Sequence, residues 1–310
     1  DIYTSLLANL DAAMGMMDNG GLNGDILFGG NMNGWRVMAN TIKMRIALRM
    51  ADVDSSTAAS VFNSAYNGGV ISSGGDLHYP YLTSDAFDNP WQDRFQTRYD
   101  FVVSKLFIDH LKSTGDPRLP YMADGTKISN GAEYVGLEYG LENPGVLETL
   151  LSGIDERIIY DGTQQGGWIA TYSEVCFAMA EANQRGWTSV GDTLTWLKLG
   201  IQSSCERWGV SSASAASFAN AATLGSNPME AIAMAKWTDM FLQGYESWTE
   251  WRRLDYPVLS PPAAAITGTG VPVRNGYGGL VPTQNKASYD AAVSAQGPDN
   301  QDTKLWWDTK

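Results

Sequence analysis

The sequence predicts a mostly α-helical fold with large irregular loops. Apolar residues recur at every third or fourth position in several stretches, which is the period of a helix packed on one side. Glycine follows several of these stretches and ends the predicted helices. Two segments, residues 67–99 and 118–168, lack this periodicity and predict long loops.

The first three predicted helices lie before residue 67. Two apolar stripes define the first two helices: Ile2, Leu6, Leu10, Met14 and Met17, then Trp35, Met38, Ile42, Ile46 and Met50. Gly20 and Gly21 end the first helix, and a glycine- and asparagine-rich run separates it from the second. Asp54 and Ser55 predict an N-cap for a third helix that continues to about Tyr66.

The middle of the chain carries the two long loops. One helix is predicted between them, from Phe101 to Leu111, and the run from Ser113 to Pro117 stops it. The first loop is polar and aromatic, and the second is rich in Gly, Asn and Tyr. Loops of this length inside a compact domain are often functional, so both are candidate ligand-contact regions.

Helical periodicity returns after residue 170. Two stripes predict a helix and its partner: Tyr172, Val175, Cys176, Met179 and Asn183, then Leu194, Leu197, Ile201, Cys205 and Trp208. Gly186 ends the first of these helices and Gly209 ends the second.

The last third of the chain predicts two more helices. Asn227 and Pro228 suit the cap and first turn of a helix that reaches Phe241. From Pro257 onward, proline and glycine dominate until a short helix near Tyr289–Ala295. No composition break marks a second domain, so we expect residues 1–310 to form one domain.

The composition indicates a folded, acidic protein. Of the 310 residues, 44% are hydrophobic and 18% are charged, which is ordinary for a globular protein. The net charge of −13 repels phosphate backbones and makes nucleic acid a poor partner. No apolar run approaches the roughly 20 residues that cross a bilayer. The chain begins in an amphipathic helix, and we expect its numbering to start inside a longer protein.

The sequence offers few metal ligands. His78 and His110 are the only histidines, and neither lies in a zinc-binding motif. Calcium needs no tight spacing of its oxygen ligands, so Asp85, Asp88 and Asn89 could hold a structural calcium ion, although a solvated acidic loop also explains them. We expect no other cofactor.

The two cysteines have two interpretations. If the helices that carry Cys176 and Cys205 form an antiparallel hairpin, the cysteines lie at matching height. They would then either form a disulfide or pack as two buried thiols, and we favour the thiols because a disulfide also needs aligned side chains.

Catalytic signatures are sparse. The chain has neither a G-x-S-x-G motif nor a phosphate-binding glycine loop. A glycosidase needs two carboxylates near one sugar site, and Glu246 and Glu250, one helical turn apart, could share a face if the helix continues. Beside Arg252 and Arg253, however, they indicate a structural ion-pair network, so we expect no catalytic residue.

Aromatic and polar side chains in the long loops are the candidate ligand contacts. Sugars present C–H faces flanked by hydroxyls, so their sites combine flat rings with amides and carboxylates. Asp93 could also bind a hydroxyl, and the nine candidates that we select from residues 78–94 and the second loop are Tyr79, Tyr81, Asp88, Asn89, Trp91, Gln92, Tyr134, Tyr139 and Trp168. Each aromatic ring among them could instead pin its own loop to the helices. Five other tryptophans lie on helical stripes or in scaffold motifs and are expected in the core: Trp35, Trp208, Trp237, Trp248 and Trp251.

Several motifs together resemble a known family. Gly244–Leu259 reads G-Y-E-S-W-T-E-W-R-R-L-D-Y-P-V-L, and Trp35–Arg49 reads W-R-V-M-A-N-T-I-K-M-R-I-A-L-R. The opening helix Ile2–Ala13, Y-S-E-V-C-F-A-M-A-E-A at Tyr172–Ala182 and A-Q-G-P-D-N at Ala295–Asn300 complete the pattern. These segments resemble the SusD/RagB family, surface lipoproteins that capture nutrients, mostly glycans, for a TonB-dependent transporter in the bacterial outer membrane.

The resemblance implies both a fold and a function. The fold would be a tetratricopeptide-like stack of helix hairpins, with large irregular loops and little β-structure. The function would be capture of an oligosaccharide at the extracellular face of the outer membrane and its delivery to a SusC-type TonB-dependent transporter, with no bond broken. Family members are longer, so the chain would lack their N-terminal segment and the lipid anchor through which they reach the membrane.

Three other functions remain as alternatives. Part of the same family captures peptides, and aromatic loops would serve that ligand as well. A helical glycoside hydrolase would release products from a bound polysaccharide. A structural lid for the transporter would show no ligand affinity as an isolated protein.

Overall fold

The structure is a computed structural model that describes residues 2–18, 20–142, 144–160, 167–265 and 270–309. The helices of this part of the chain are α1 (Ile2–Met16), α2 (Met32–Met50), α3 (Ser55–Asn67), α4 (Pro90–Phe95), α5 (Lys105–Thr114), α6 (Leu119–Met122), α7 (Glu156–Ile159), α8 (Tyr172–Gln184), α9 (Thr193–Arg207), α10 (Ser212–Ala221), α11 (Pro228–Asp239), α12 (Gly244–Leu254), α13 (Val281–Gln284) and α14 (Lys286–Gln296). Two strands, β1 (Leu77–His78) and β2 (Trp168–Ala170), pair antiparallel. Short 3₁₀ helices lie at Lys127–Ser129 and Glu148–Leu150. The fold is therefore mostly α with little β-structure, as predicted.

Predicted caps begin two of the helices. The Asp54 side chain accepts a hydrogen bond from the backbone N–H of Thr57 at 3.2 Å, at the start of α3. At the start of α11, the Asn227 side chain accepts one from the backbone N–H of Glu230 at 3.4 Å, and Pro228 occupies the first turn. Each cap satisfies an N–H that the helix itself leaves unpaired, which is why these residues begin helices here.

Consecutive helices pack as hairpins. α2 packs on α3, α8 on α9 and α11 on α12, and a short connection joins the members of each pair, so they run antiparallel. α8 also contacts α2 and α11, which places it at the centre of the stack. Gly200 lets α9 approach α8 closely, because a Cβ there would lie 2.5 Å from the Phe177 ring of α8. The predicted arrangement of stacked helix hairpins is confirmed.

The apolar core follows these contacts. Phe62 of α3 and Met44 of α2 pack with Met179 of α8, and all three side chains are at most 1% exposed. Other buried groups lie between α8, α9 and α11 and around α5. Burying a large apolar side chain contributes roughly 1.5–3 kcal/mol, so these clusters dominate the stability of the scaffold that carries the loops.

The helices differ from the sequence prediction in several places, and α4, α6 and α7 lie in the two segments that were predicted to be loops. α5 begins at Lys105 and not at Phe101, because the Ser104 side chain caps it and the backbone of Val103 pairs with Ser152 and Leu137 instead. α10 was not predicted, since its alanine- and serine-rich sequence carries almost no apolar stripe. None of the described helices is both long and apolar enough to cross a membrane.

Cys176 of α8 and Cys205 of α9 are both buried and not bonded to each other. Burial raises the pKa of each thiol to about 12, so both are neutral at physiological pH. The structure therefore supports the interpretation of two packed thiols.

Candidate functional site

The loop of residues 78–94 begins on the two-stranded ribbon, which fixes its first aromatic residues. Beyond β1, the backbone N–H of Tyr79 donates to the carbonyl oxygen of Gly167 at 3.1 Å. The rings of Tyr79 and Tyr81 then lie 4.7 Å apart between centroids, tilted by 52°. This is a favourable aromatic geometry, so the two rings hold each other in place.

The two tyrosines border an open concavity of about 700 Å³, which we call the tyrosine surface. Its residues are Ile26, Tyr79, Pro80, Tyr81, Leu82, Ala86, Phe87 and Asp88. Exposure is high for the apolar members: 41% for Tyr79, 61% for Ile26 and 65% for Phe87. Exposed apolar side chains gathered around a concavity are typical of a binding surface.

Trp168 lies behind the tyrosine surface. Its ring is 4.8 Å from that of His78, and the His78 ring also lies 6.1 Å from that of Tyr81. The Arg207 guanidinium of α9 lies over Trp168, 5.0 Å from the ring centroid. Trp168 is half-buried in this stack, so it supports the tyrosine surface by holding the ribbon against α9.

Asp88 and Asn89 lie where the loop turns into α4. Asn89 is 1% exposed, and its side chain caps α4 by accepting a hydrogen bond from the backbone N–H of Trp91 at 2.9 Å. Asp88 is also buried and accepts a hydrogen bond from the side-chain amide of Gln96 at 3.1 Å. The predicted sugar contact of Asn89 therefore gains no support from its position, whereas Asp88 still borders the tyrosine surface.

Trp91 lies in a second concavity, of about 410 Å³, which we call the tryptophan cleft. Its walls are formed by Trp91, Phe101, Val102, Val103, Ser104, Phe107, Ile154, Trp237, Met240, Phe241, Leu242, Gly244, Ser247, Trp248, Trp251 and Leu259. Trp91 meets Phe101 edge to face, with 6.1 Å between ring centroids, and Trp237 meets Phe107 in the same way at 5.2 Å. The arrangement presents ring faces and edges to the space between α4, α5, α11 and α12.

Three wall residues of this cleft were expected in the core. Trp237, Trp248 and Trp251 are only half-buried, and each lines the cleft, whereas Trp208 is 1% exposed and Trp35 is half-buried elsewhere. The expectation is therefore correct for Trp208 and wrong for Trp248 and Trp251, whereas Trp237 both lines the cleft and packs against the core around α5. Their side chains lie on the helix faces that point toward neighbouring helices, but those helices do not cover them completely.

A third concavity, of about 350 Å³, lies beside the tryptophan cleft and shares Val102 with it. We call it the acidic pocket, because Asp124, Glu148 and Glu156 line it with a single cation, Lys127. Its other lining residues are Tyr99, Val102, Gly125, Asn130, Gly131, Leu151 and Gly153.

One carboxyl of the acidic pocket has a shifted pKa. Partial burial raises the pKa of Asp124 to about 6, and the nearby Asp155 carboxylate acts in the same direction. The Arg157 guanidinium acts in the opposite direction but does not cancel the rise. The Lys127 ammonium lies over the Tyr99 ring, 4.5 Å from the centroid.

The remaining candidate residues are dispersed. Gln92 is half-buried on α4, beside Trp91. Tyr134 packs against the core around α5, which is the loop-pinning alternative for that ring. The Tyr139 hydroxyl donates a hydrogen bond to the carbonyl oxygen of Ser260, in a groove of about 200 Å³ that adjoins the cleft at Leu259. The structure thus brings Tyr79, Tyr81 and Asp88 together and leaves the others apart.

Glu246 and Glu250 are held in ion pairs. The Glu246 carboxylate accepts two hydrogen bonds from the Arg49 guanidinium, both at 2.6 Å. Glu250 is buried and accepts hydrogen bonds from Lys236 and Arg253. Both carboxylates are engaged with cations of the scaffold, so the structural interpretation of this pair is confirmed.

Among the described residues, no group of three or more His, Cys, Asp or Glu side chains could hold a metal ion. His110 is half-buried, with its ring 5.4 Å from that of Trp237 and its Nε2 3.1 Å from the Thr238 hydroxyl. A structural calcium ion at the loop of Asp85 and Asp88 stays a prediction.

Known proteins resemble this chain both in sequence and in fold. The family model for SusD-like proteins, described as starch-binding and associating with the outer membrane, matches residues 1–278. A comparison with curated protein sequences finds no match.

Solved structures resemble the whole chain. A chitin-binding protein superposes with a TM-score of 0.86 at 27% identity, over 100% of this chain and 73% of its own. A SusD homologue from Bacteroides thetaiotaomicron gives 0.85 at 23% identity, over 100% and 74%. A chitin-binding SusD homologue from Flavobacterium johnsoniae gives 0.83 at 23% identity, over 100% and 72%.

Proposed function

The chain belongs to the SusD-like family, and from this premise we propose that it captures a glycan at the outer face of the outer membrane and passes it to a SusC-type TonB-dependent transporter without breaking a bond. The observation that carries the proposal is the tyrosine surface, where paired rings and exposed apolar side chains surround an open concavity of about 700 Å³. We further propose that the chain acts as a single domain.

The tyrosine surface suits a sugar for a physical reason. The C–H face of a sugar ring stacks on an aromatic ring, and the Tyr79–Tyr81 pair is held in a fixed orientation before the ligand arrives. Asp88 at the border offers a carboxylate for a hydroxyl group. Such shallow contacts give modest affinity and rapid release, which suits delivery to a transporter.

Two observations bear on the ligand and on catalysis. The relative at 27% identity is named for binding chitin, so oligomers of β-1,4-linked N-acetylglucosamine are the first ligands to test. The engagement of Glu246 and Glu250 in ion pairs favours capture over hydrolysis, because a glycosidase needs two carboxylates free to act on one bond.

Affinity electrophoresis through gels cast with different polysaccharides tests capture. We expect retardation by at least one glycan, without sugars released during incubation, and Tyr79→Ala should reduce the retardation. Tyr277→Ala is the matched control: Tyr277 is 38% exposed, its ring also contacts a second tyrosine, Tyr289, and it lies outside the three concavities. Retardation by no glycan would favour peptide capture or a structural lid, and released sugars would favour a hydrolase.

Delivery to the transporter needs a separate test. In the cells that produce the protein, a tagged form extracted from the outer membrane with detergent should co-purify with a TonB-dependent barrel. Glycan binding without such a barrel would contradict delivery and leave capture standing.

A further inference from the structure

The tryptophan cleft is distinct from the tyrosine surface in its chemistry. Seven aromatic side chains line it, and none of its described wall residues is charged, although the neighbouring acidic pocket holds three carboxylates. An ion that entered the cleft would lose its hydration without gaining a partner. The cleft therefore fits a neutral group with a substantial apolar part.

The rings of the cleft are fixed in place before any ligand arrives. The Trp248 indole N–H donates to the carbonyl oxygen of Pro272 at 2.9 Å, and that of Trp251 to the carbonyl oxygen of Pro257 at 3.0 Å. Both donors are thus satisfied within the protein, and the rings offer the cleft their apolar surface. Leu242, another wall residue, has a φ of 68°, a backbone conformation that a leucine rarely adopts and that is common at binding sites.

One side chain of the first turn of α12 adds polarity to this wall. Ser247 is half-buried and lines the cleft next to Trp248. Its hydroxyl can pair with an amide, which would otherwise lose its hydrogen bonds with water on entering an apolar space. A neutral amide that carries a methyl group matches this combination.

The tryptophan cleft and the tyrosine surface have lining residues that are close neighbours in the chain. Asp88 belongs to the tyrosine surface and Trp91 to the cleft, and only two residues separate them. Three residue steps span at most about 11 Å, so the two concavities approach each other at this turn.

We propose that the tryptophan cleft receives the acetamido group of an N-acetylated hexosamine while an adjacent sugar ring stacks on the tyrosine surface. This inference rests on the proposed glycan capture and specifies its substrate class. The acetamido methyl packs against the aromatic rings of the cleft, whereas a hydroxyl in the same position is too small to fill the cleft. An ammonium group in that position carries a positive charge, so the uncharged cleft disfavours it, whereas the carboxylates of the acidic pocket would stabilise it.

Three hexamers with the same β-1,4-linked backbone test the assignment by calorimetry. They carry acetamido, hydroxyl or ammonium groups at the second carbon: chitohexaose, cellohexaose and the glucosamine hexamer. Burial of the acetamido methyl and carbonyl carbons gives an expected preference of about tenfold for chitohexaose over cellohexaose. Equal affinity of these two hexamers would overturn the proposal, and so would tightest binding of the glucosamine hexamer.

Substitutions at Ser247 locate the preference in the cleft. Ser247→Phe fills the cleft and should bring chitohexaose within about twofold of cellohexaose, while Ser247→Ala leaves the space open and should lose only the part of the preference that the hydroxyl contributes. If Ser247→Phe fails to fold, Ser247→Met makes the same test with a smaller, flexible side chain. Persistence of the full preference in the filled variant would place the acetamido group elsewhere and overturn the assignment.

The outcomes separate this inference from the function on which it rests. Binding of another glycan, without preference for the acetamido hexamer, would remove the inference and leave glycan capture standing. Retardation by no polysaccharide, together with no binding of any hexamer, would remove both.

Discussion

Arg253 of α12 donates two hydrogen bonds to the carboxylate of Glu181 on α8, and the two side chains are 1% and 0% exposed. The Nη2–Oε2 distance is 2.7 Å. This pair joins two segments on which the family resemblance rests, the tryptophan-rich helix and the central helix of the stack. It therefore sets where α12, and with it one wall of the tryptophan cleft, lies against the core.

Further charges surround the pair. Arg253 and Lys236 both donate to Glu250, and Arg185 donates to Glu181 at 2.8 Å. Burial alone would raise the pKa of Glu181, but Arg253, assisted by Lys236 and Arg185, holds it at about 2. Because this value lies below the ordinary 4.5, the stabilisation is complete above pH 4.5 and is lost as the pH falls toward 2.

Arg253→Met should destabilise the protein by about 3–5 kcal/mol, because it leaves Glu181 and Glu250 buried with too few cations. Urea unfolding at pH 7 measures this loss. The control is Arg98→Met, which removes an exposed arginine paired with Asp100 and should change the free energy of unfolding by less than about 1 kcal/mol. Equal effects of the two substitutions would contradict a structural role for the buried network.

Tyr79→Ala and Trp91→Ala should separate binding from stability. Tyr79 is 41% exposed, so its truncation should weaken glycan binding and leave the melting temperature nearly unchanged. Trp91 packs partly against the core around α5, so its truncation should weaken binding and also cost roughly 1–3 kcal/mol of stability. Calorimetric titration and thermal unfolding of both variants check this, and an unchanged melting temperature for Trp91→Ala would place its ring outside the core.

Helices were predictable from the sequence where caps and apolar stripes agreed, as at α3 and α11. Residues 101–104 were not, because Phe101, Val102 and Val103 continue the apolar pattern of α5 yet adopt an extended conformation. Their backbone pairs with residues some 35 to 50 positions further along the chain, Leu137 and Ser152. Such long-range pairing overrides local helix preference and leaves no mark in the local pattern.

The candidate site was only partly predictable for a related reason. Tyr79 and Tyr81 flank a proline in a loop without a helical stripe, so the sequence made them candidate contacts, and the structure leaves Tyr79 exposed and Tyr81 half-buried. Trp237, Trp248 and Trp251 lie on helices, and a helical stripe shows which face packs but not how completely the neighbours cover it. The tryptophan cleft arises from incomplete cover between four helices, which only the tertiary structure reveals.

Gly167→Ala should disturb the tyrosine surface from beneath. Gly167 has a φ of +66°, and a Cβ there would lie 2.4 Å from the Tyr81 ring, so the ring must move. We expect weaker glycan binding together with a loss of about 1 kcal/mol from the backbone strain. Gly145→Ala is the control, because Gly145 has a φ of +57° and no atom within 4 Å of the added Cβ. Its strain should be similar, so a matching loss of affinity in Gly145→Ala would exclude displacement of Tyr81 as the cause.

Asp124→Asn should stabilise the protein at pH 7 and leave its stability at pH 4 almost unchanged. The pKa of Asp124 is about 6 in the folded protein, whereas its ordinary value is 3.8. Between these two pH values, the folded protein therefore keeps a proton on Asp124 that the unfolded chain has released. Stability therefore falls as the pH rises through this window, and an asparagine, which does not ionise, removes the fall. The carboxyl is only half-buried, so solvent screening reduces the effect to an expected rise of about 2 °C in melting temperature at pH 7. Asp302→Asn, which removes an exposed carboxylate, is the control. An equal change of melting temperature at pH 4 and pH 7 in Asp124→Asn would show that the acidic pocket does not hold the Asp124 carboxyl in the protonated form.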